Sequence, residues 1–530
     1  MRLLAGVCAG ALFWIAGQVV AFPSSSAIAV SATDQARQEA TPGQKDREPI
    51  MPASDKVELK KTLPDTTGAI SINFVKYPDG RDIMFVSTTS GLKSFDVSDT
   101  DNPKALGTLT KAQLALPGDD PNKGRFWENE DMDVDPDRQL VFLARERTSF
   151  GNPRAKDSPT GVYIIDAKDP AKLSIASWAP QGTGHITTCI NGCDYLWTSG
   201  WDGEINDPSN VYHSSGKIFV TDIRDYKKPK VETIYVDENR DQGVSHMTHD
   251  VQVDDSGVAW VAGTGGTRGY WTDGIHRDPV TGEVRQATPV KPVPYAGGAA
   301  EQAAMPTSFS HNSVRPVNGT LADGPIPSAE NPPGSLLLHT EEAFGSPTCK
   351  DQGRFVISSL QGSFNGESQK ATQEKPFYLK TVGIWSPDDK DGTINSPNTF
   401  CSAHYFTMQD RVVAYSWYEQ GTRFLDISDP ANPKQIAYWR PQSAVSWASY
   451  WHRDRVFVAD YALGVQVLNL NASAGSEQVT LHAAPPGTPG MSDPGQAPPA
   501  RLPFAPDPNY GMACPHLFGR DCKPGDVSCC

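Results

Sequence analysis

Short apolar runs recur along this chain, each opened by glycine and closed by aspartate. The clearest read Gly91-Leu-Lys-Ser-Phe-Asp96, Gly161-Val-Tyr-Ile-Ile-Asp166 and Gly421-Thr-Arg-Phe-Leu-Asp426. Weaker copies begin at Gly216, Gly353 and Gly464. β-Branched and aromatic residues dominate the runs, which predicts buried strands. The closing aspartate is able to bond its own backbone two residues on and start a turn. The proline that follows, as in Asp169-Pro170 and Asp429-Pro430, has no N–H for a ladder and ends the strand.

After each turn comes a half-apolar outer strand, as at Lys104–Leu109, Lys230–Tyr235 and Lys434–Tyr438. Before each phrase lie two more strands across a tight turn. One such pair is His249–Val253 and Val258–Ala262, joined by Asp254-Asp-Ser-Gly257. Four strands per unit, repeated at roughly 40–60 residue spacing, predict an all-β fold, a β-propeller. Seven inner strands begin near Asn73, Glu130, His185, His249, His311, His404 and Ala448, so the ring is expected to have seven blades. The long gap between His311 and His404 predicts insertions in that blade. The last unit stops after its third strand, at Leu470. Upstream of the first, Lys56-Val-Glu-Leu-Lys-Lys-Thr-Leu63 has the pattern of an outer strand. That segment is expected to complete the seventh blade and close the ring, which removes an open sheet edge.

The stretch Phe424-Leu-Asp-Ile-Ser-Asp-Pro-Ala-Asn-Pro433 resembles the LVIVD repeat, a propeller repeat of secreted or surface proteins of bacteria and archaea. The resemblance spans roughly residues 60–470 and implies the propeller fold. It implies no particular activity, so function has to be argued from the site.

The flanks read differently. Met1-Arg2 and the apolar run Leu3–Phe22, followed by Ala27-Ile-Ala29, predict a secretory signal over residues 1–29; the alternative is a retained N-terminal anchor. No later stretch is long and apolar enough to span a membrane. Residues 30–55 form a polar linker, 56–470 the propeller, 471–513 a Pro/Gly/Ala-rich linker and 514–530 a cysteine-rich tail. The expected location is secreted, periplasmic or cell-surface. The net charge of −15 argues against nucleic acid as a partner. A small-molecule or cell-surface ligand, and a monomer, fit the composition better. Eight of the nine cysteines lie beyond the expected signal, and an even set in an exported chain reads as disulfides, with Cys189 expected to pair with Cys193 across an Asn-Gly turn and Cys349 with Cys401 between blades. Cys514, Cys522, Cys529 and Cys530 crowd the tail, where bridges compete with a metal or redox cluster.

Chemistry concentrates at one repeat position. Glu130, His185, His249, His311 and His404 all stand where an inner strand begins, in five successive units. The first and last units offer Asn73 and Ala448 there. In a propeller these positions face the central channel. Four of the eleven histidines would then meet a carboxylate on the axis. Imidazole is the commonest ligand for iron, copper and zinc, so a transition metal is the leading expectation. Asp131, Asp250 and Asn312 follow three of these positions and are expected to orient imidazoles. His246, Arg268 and Trp271 are candidates for a binding rim at the channel mouth, with blade packing the alternative for the last two. Thr340-Glu341-Glu342 follows the apolar strand Leu336–Leu338; a solvated strand end is the leading reading, and reach into the channel the alternative. His213, His276, His339, His452, His482 and His516 read as surface or packing residues.

Such a site is similar to those of the carotenoid oxygenases, which hold iron on four propeller histidines, and of the copper-containing methanethiol oxidases. Neither family's longer motifs occur in this chain. The expectation is therefore a metal-binding propeller, with metal-dependent oxidoreductase chemistry as its enzymatic form. The competing expectations are a metal-free polar ligand site, a non-catalytic ligand-binding or adhesion propeller, and a structural surface protein.

Overall fold

Each glycine–apolar–aspartate phrase forms the third strand of a four-stranded antiparallel blade in a computed structural model of the chain. The structure describes residues 53–127, 130–153, 157–200, 217–236, 248–263, 266–277, 283–298, 310–316, 334–342, 349, 353–360, 363–364, 367–368, 379–388, 390–394 and 402–471. Most of both linkers, the expected signal segment and the four tail cysteines lie outside them.

The local physics of the phrase is visible at each copy. Asp96, Asp166, Asp222 and Asp426 accept through Oδ1 from the backbone N–H of Ser98, Lys168, Arg224 and Ser428. These are turns closed by the aspartate's own side chain. Gly421 takes φ +72°, and a Cβ on it would run into the Trp439 carbonyl of the outer strand; Gly91 stands the same way against the Leu109 carbonyl. The repeat keeps glycine there because the outer strand approaches too closely for a side chain.

Seven such sheets are present. Their inner strands are Ala69–Lys76, Asp133–Asp135, Ile186–Ile190, Thr248–Val253, Ser310–Val314, Phe406–Gln409 and Ser446–His452. The seventh sheet takes its outer strand from the N-terminal side, where Val57–Thr62 pairs antiparallel with Gly464–Leu470. Main-chain bonds at both ends, Leu63 N–H to Val465 and Asn471 N–H to Lys56, extend that closure. Between the third and outer strands, the fourth blade inserts the hairpin Ile275–Arg277/Val284–Gln286 and the fifth the hairpin Ser363–Phe364/Glu367–Ser368.

The core is not one mass but a wedge between each pair of neighbouring blades. Phe74, Met84 and Val86 of the first blade pack on Tyr450, Phe457 and Val467 of the seventh. Equivalent apolar clusters fill the other blade junctions, as where Phe355 and Trp385 meet Phe406 and Tyr415. Sheets stacked face to face in this way leave the inner strand edges around a channel. Cys189 is bonded to Cys193 around Asn191 and Gly192, both in left-handed backbone conformation. Cys349 is also disulfide-bonded; Cys401, its expected partner, lies outside the described residues. No helix among the described residues is long and apolar enough to cross a membrane.

Candidate metal centre on the propeller axis

Four of the seven inner strands share a defect near their first residues. Pairing with the second strand slips between Thr248 and Asp250, between Ser310 and Ser313, and between Ser446 and Ala448. Each slip is a β-bulge, which accommodates an extra residue and re-aims side chains. The extra residue is His249 in the fourth blade and Trp447, rather than Ala448, in the seventh. In the first blade the slip falls between Ala69 and Ile72, upstream of Asn73. Asn73 instead donates to the Met132 carbonyl at 2.9 Å.

The structure brings Glu130, His185, His249, His311 and His404 together. One oxygen, Glu130 Oε2, lies 3.2 Å from His185 Nε2 and 3.4 Å from His249 Nε2. It lies 3.1 Å from His311 Nε2 and 3.4 Å from His404 Nε2. His185 Nε2 and His249 Nε2 are 2.9 Å apart. The rings step around the channel in contact, with centroid spacings of 4.7, 4.3 and 4.1 Å from His185 through His249 and His311 to His404. His249, His311 and His404 are buried, whereas Glu130 and His185 keep 12% and 13% side-chain exposure. Solvent therefore reaches the centre from the Glu130–His185 side.

The far nitrogens are tethered. His404 Nδ1 donates to the Trp447 carbonyl at 2.6 Å and His249 Nδ1 to the His311 carbonyl at 3.3 Å. A carbonyl only accepts, so these Nδ1 atoms carry a hydrogen, and each ring turns its Nε2 towards the centre. His185 Nδ1 is bonded to the Glu146 carboxylate.

Charge is unevenly held. Burial opposes ionisation of Glu130, but the His185 and His404 charges and imidazole hydrogen bonds outweigh it and keep its carboxyl well below the usual range. Burial likewise disfavours a charged His185, yet Glu130 and Glu146 hold its pKa well above that of free imidazole. His311 is pushed well below it by burial and then by His404 and His249. Glu342 is pushed up to about 8 by burial and by the Glu130 charge. Its Oε2 lies 3.6 Å from His311 Nε2, and its Oε1 accepts the Tyr418 hydroxyl at 2.7 Å.

Two overlapping sets are close enough to share one ion: Glu130, His249 and His311, and His311, Glu342 and His404. Within each set the ligand atoms lie within 4.8 Å of one another. The donors are imidazole nitrogens plus carboxylates, a set that suits iron, copper or zinc. Ordinary metal–imidazole bonds are about 2.0–2.1 Å, shorter than the 3.1–3.4 Å from these nitrogens to Glu130 Oε2, so the rings would have to draw in around an ion.

Asp131, Asp250 and Asn312 occupy a layer of their own. Asn312 Nδ2 donates to Asp250 at 3.1 Å, Gln252 Nε2 to Asp131 at 2.7 Å, and the Tyr405 hydroxyl to Asp250 at 3.2 Å. The Tyr405 ring lies against His311 and His404, so the layer reaches the imidazoles through packing. Burial, with Asp250 and Asp133 nearby, raises the pKa of Asp131 well above that of a free carboxyl.

Arg268 stands in the third strand of the fourth blade opposite Val261. Trp271 stacks on His276 at 4.2 Å and meets Tyr295 edge-on, so its described contacts are blade packing. His246 lies outside the described residues, as do His213, His482 and His516. His339 and His452 are buried packing residues. Glu341 and Glu342 are buried at 4% and 5% exposure, which corrects the reading of a solvated strand end. Sequence pattern missed Glu146, Tyr405, Tyr418 and Trp447, with the position of Trp447 beside Ala448 as a signal. Glu342 comes to the centre by the alternative reading of its strand end.

No family model matches the chain, and no curated protein matches it. Among solved structures it is similar to the β-propeller domain of Cps50 (Swd1) from Myceliophteria thermophila, with 10% identity and a TM-score of 0.45, over 78% of this chain and 99% of that one. It is also similar to an extracellular domain from B. thetaiotaomicron, with 8% identity and a TM-score of 0.41, over 78% of this chain and 40% of that one.

Proposed function

We propose that this protein is an exported, LVIVD-type propeller that binds a transition metal ion on its axis and uses it in oxidoreductase chemistry on a small molecule. The observation that carries the reading is the convergence of four imidazole Nε2 atoms on one point, 3.1–3.4 Å from Glu130 Oε2. The donor set supports iron, copper or zinc; only the first two supply redox chemistry themselves. His185, His249, His311 and His404 would hold the ion, with Glu130 completing the set or withdrawing from it. A metal there supplies Lewis acidity or one-electron chemistry to a bound ligand. The chain's own residues do the rest. Glu146 and the His311 and Trp447 carbonyls orient the rings, and Glu342, held by Tyr418, keeps a proton beside His311. The Cys189–Cys193 disulfide supports an oxidising compartment.

A second reading has its own support. Glu130 Oε2 already pairs with His311 Nε2 at 3.1 Å and with His185 Nε2 at 3.2 Å, as a metal-free ligand-binding propeller would require. Elemental analysis of protein purified without an affinity tag separates the two. The metal reading expects close to one equivalent of iron, copper or zinc, lost on His249→Ala and kept on His276→Ala. Metal-free wild-type protein that takes up none on reconstitution would leave the ligand-binding reading in its place.

A further inference from the structure

The imidazole arc is built from the third to the sixth blades, and among the described residues Trp447, Trp127 and Tyr461 stand together beyond its His404 end. Trp447 occupies the bulge of the seventh blade, and its ring meets His404 at 5.1 Å and Tyr418 at 5.2 Å. Trp127 meets Trp447 edge-on at 6.2 Å, and Tyr461 touches both, at 6.1 and 5.5 Å. Both tryptophans are tied to the arc through the main chain. The Trp447 carbonyl holds His404 Nδ1, and the Trp127 carbonyl accepts from the N–H of Glu146, whose carboxylate holds His185. An aromatic wall thus stands beside the solvent-reachable flank of the centre.

Two donors on this wall are unused. The Arg125 guanidinium lies over Trp127 at 4.7 Å and over Tyr461 at 5.7 Å. It has no carboxylate partner among the described residues, in a chain whose net charge is −15. Its backbone is pinned, with the Arg125 carbonyl accepting from Phe150 N–H and Phe126 N–H donating to Thr89. The buried indole N–H of Trp447 has no acceptor among the described residues. Unpaired, partly desolvated cations are costly and favour an anion. Trp127 and Trp447 stand at 89° to one another, so a planar ring that stacks on one meets the other edge-on, the two arrangements aromatic pairs prefer.

We infer that the channel mouth binds a planar aromatic carboxylate, its ring against Trp447 and Trp127 and its carboxylate on Arg125, over the histidine centre. This names the ligand class of the site proposed above and rests on that reading only for the chemistry beneath the ligand. All the contacts invoked come from the chain itself, so binding should survive chelation.

The test is calorimetric titration of the purified full chain, before and after chelator treatment, with 4-hydroxybenzoate and with its neutral amide. Wild type should prefer the acid by roughly tenfold or more, with or without metal. Arg125→Gln should erase that preference while leaving amide binding in place. Arg125→Lys should keep part of it, and Trp127→Leu should weaken both ligands. Thermal unfolding of each variant confirms that the fold is intact. No binding of the acid by wild type, equal affinity for acid and amide, or an unchanged preference in Arg125→Gln overturns the inference. Acid preference in a chain that never takes up metal leaves it standing while the metal reading falls.

Discussion

A residue's environment, more than its type, decides its chemistry here, and the histidines show it. His185 lies between two carboxylates and holds its proton, whereas His339, buried at the second strand of the fifth blade, refuses one. His339 is bonded to the Ser358 hydroxyl at 2.9 Å, and burial, helped by the Arg354 charge, pushes its pKa down to about 3. In the unfolded chain an imidazole titrates near 6.5. As pH falls, the unfolded state therefore takes up the proton first. The stability of the neutral buried ring is whole above about pH 6.5 and drains towards about pH 3, at up to about 1.4 kcal/mol per pH unit. His339→Gln should flatten the decline of urea-unfolding stability between about pH 6.5 and 4. An unaltered slope in that variant would assign the acid sensitivity to other groups.

Elements repeat because their backbone constraints repeat. The glycine that opens the third strand is set by a close outer strand at Gly91, Gly161 and Gly421, and the aspartate that closes it is set by a turn. Gly421→Ala would place a Cβ against the Trp439 carbonyl at a left-handed φ. It should cost about 1–3 kcal/mol in chemical denaturation. Alanine at an exposed outer-strand position such as Lys434, which has no such contact, should cost well under about 1 kcal/mol. Equal effects at the two positions would mean that the glycine is tolerated rather than required. The bulges are the other recurring device. They turn His249 and Trp447 out of the strict alternation of a strand and towards the channel.

At the scale of the molecule, the ring depends on one long-range pairing. Val57–Thr62 and Gly464–Leu470 meet from opposite ends of the propeller sequence. Deleting residues up to Leu63 would bare the edge of Gly464–Leu470 and uncover Leu468 and Leu470, which pack against the sixth blade. The unfolding midpoint should fall by on the order of 5 °C or more, with self-association through the open edge. Differential scanning calorimetry with size-exclusion chromatography checks this; a deleted chain that melts as the parent does and stays monomeric would show the strand to be dispensable.

The blade count, the role of the phrase and the strand that closes the ring were legible in the sequence. They rest on local rules, such as alternation along strands, glycine where φ is left-handed, and aspartate where a turn starts. The five axial residues were legible too, because one repeat position in successive blades maps to one place around the axis. The other members of the site were not, Glu342 apart. Glu146 and Glu342 follow second strands, Tyr418 sits in a loop, and Arg125 and Trp127 come from the connection between two blades. None shares a repeat position with the histidines, and their meeting depends on how blades stack. The bulges were equally hidden, since a one-residue slip in pairing leaves no mark in composition. Local sequence therefore determined the scaffold and its axial ring. Tertiary packing alone decided which carboxylates, carbonyls and aromatic rings surround that ring.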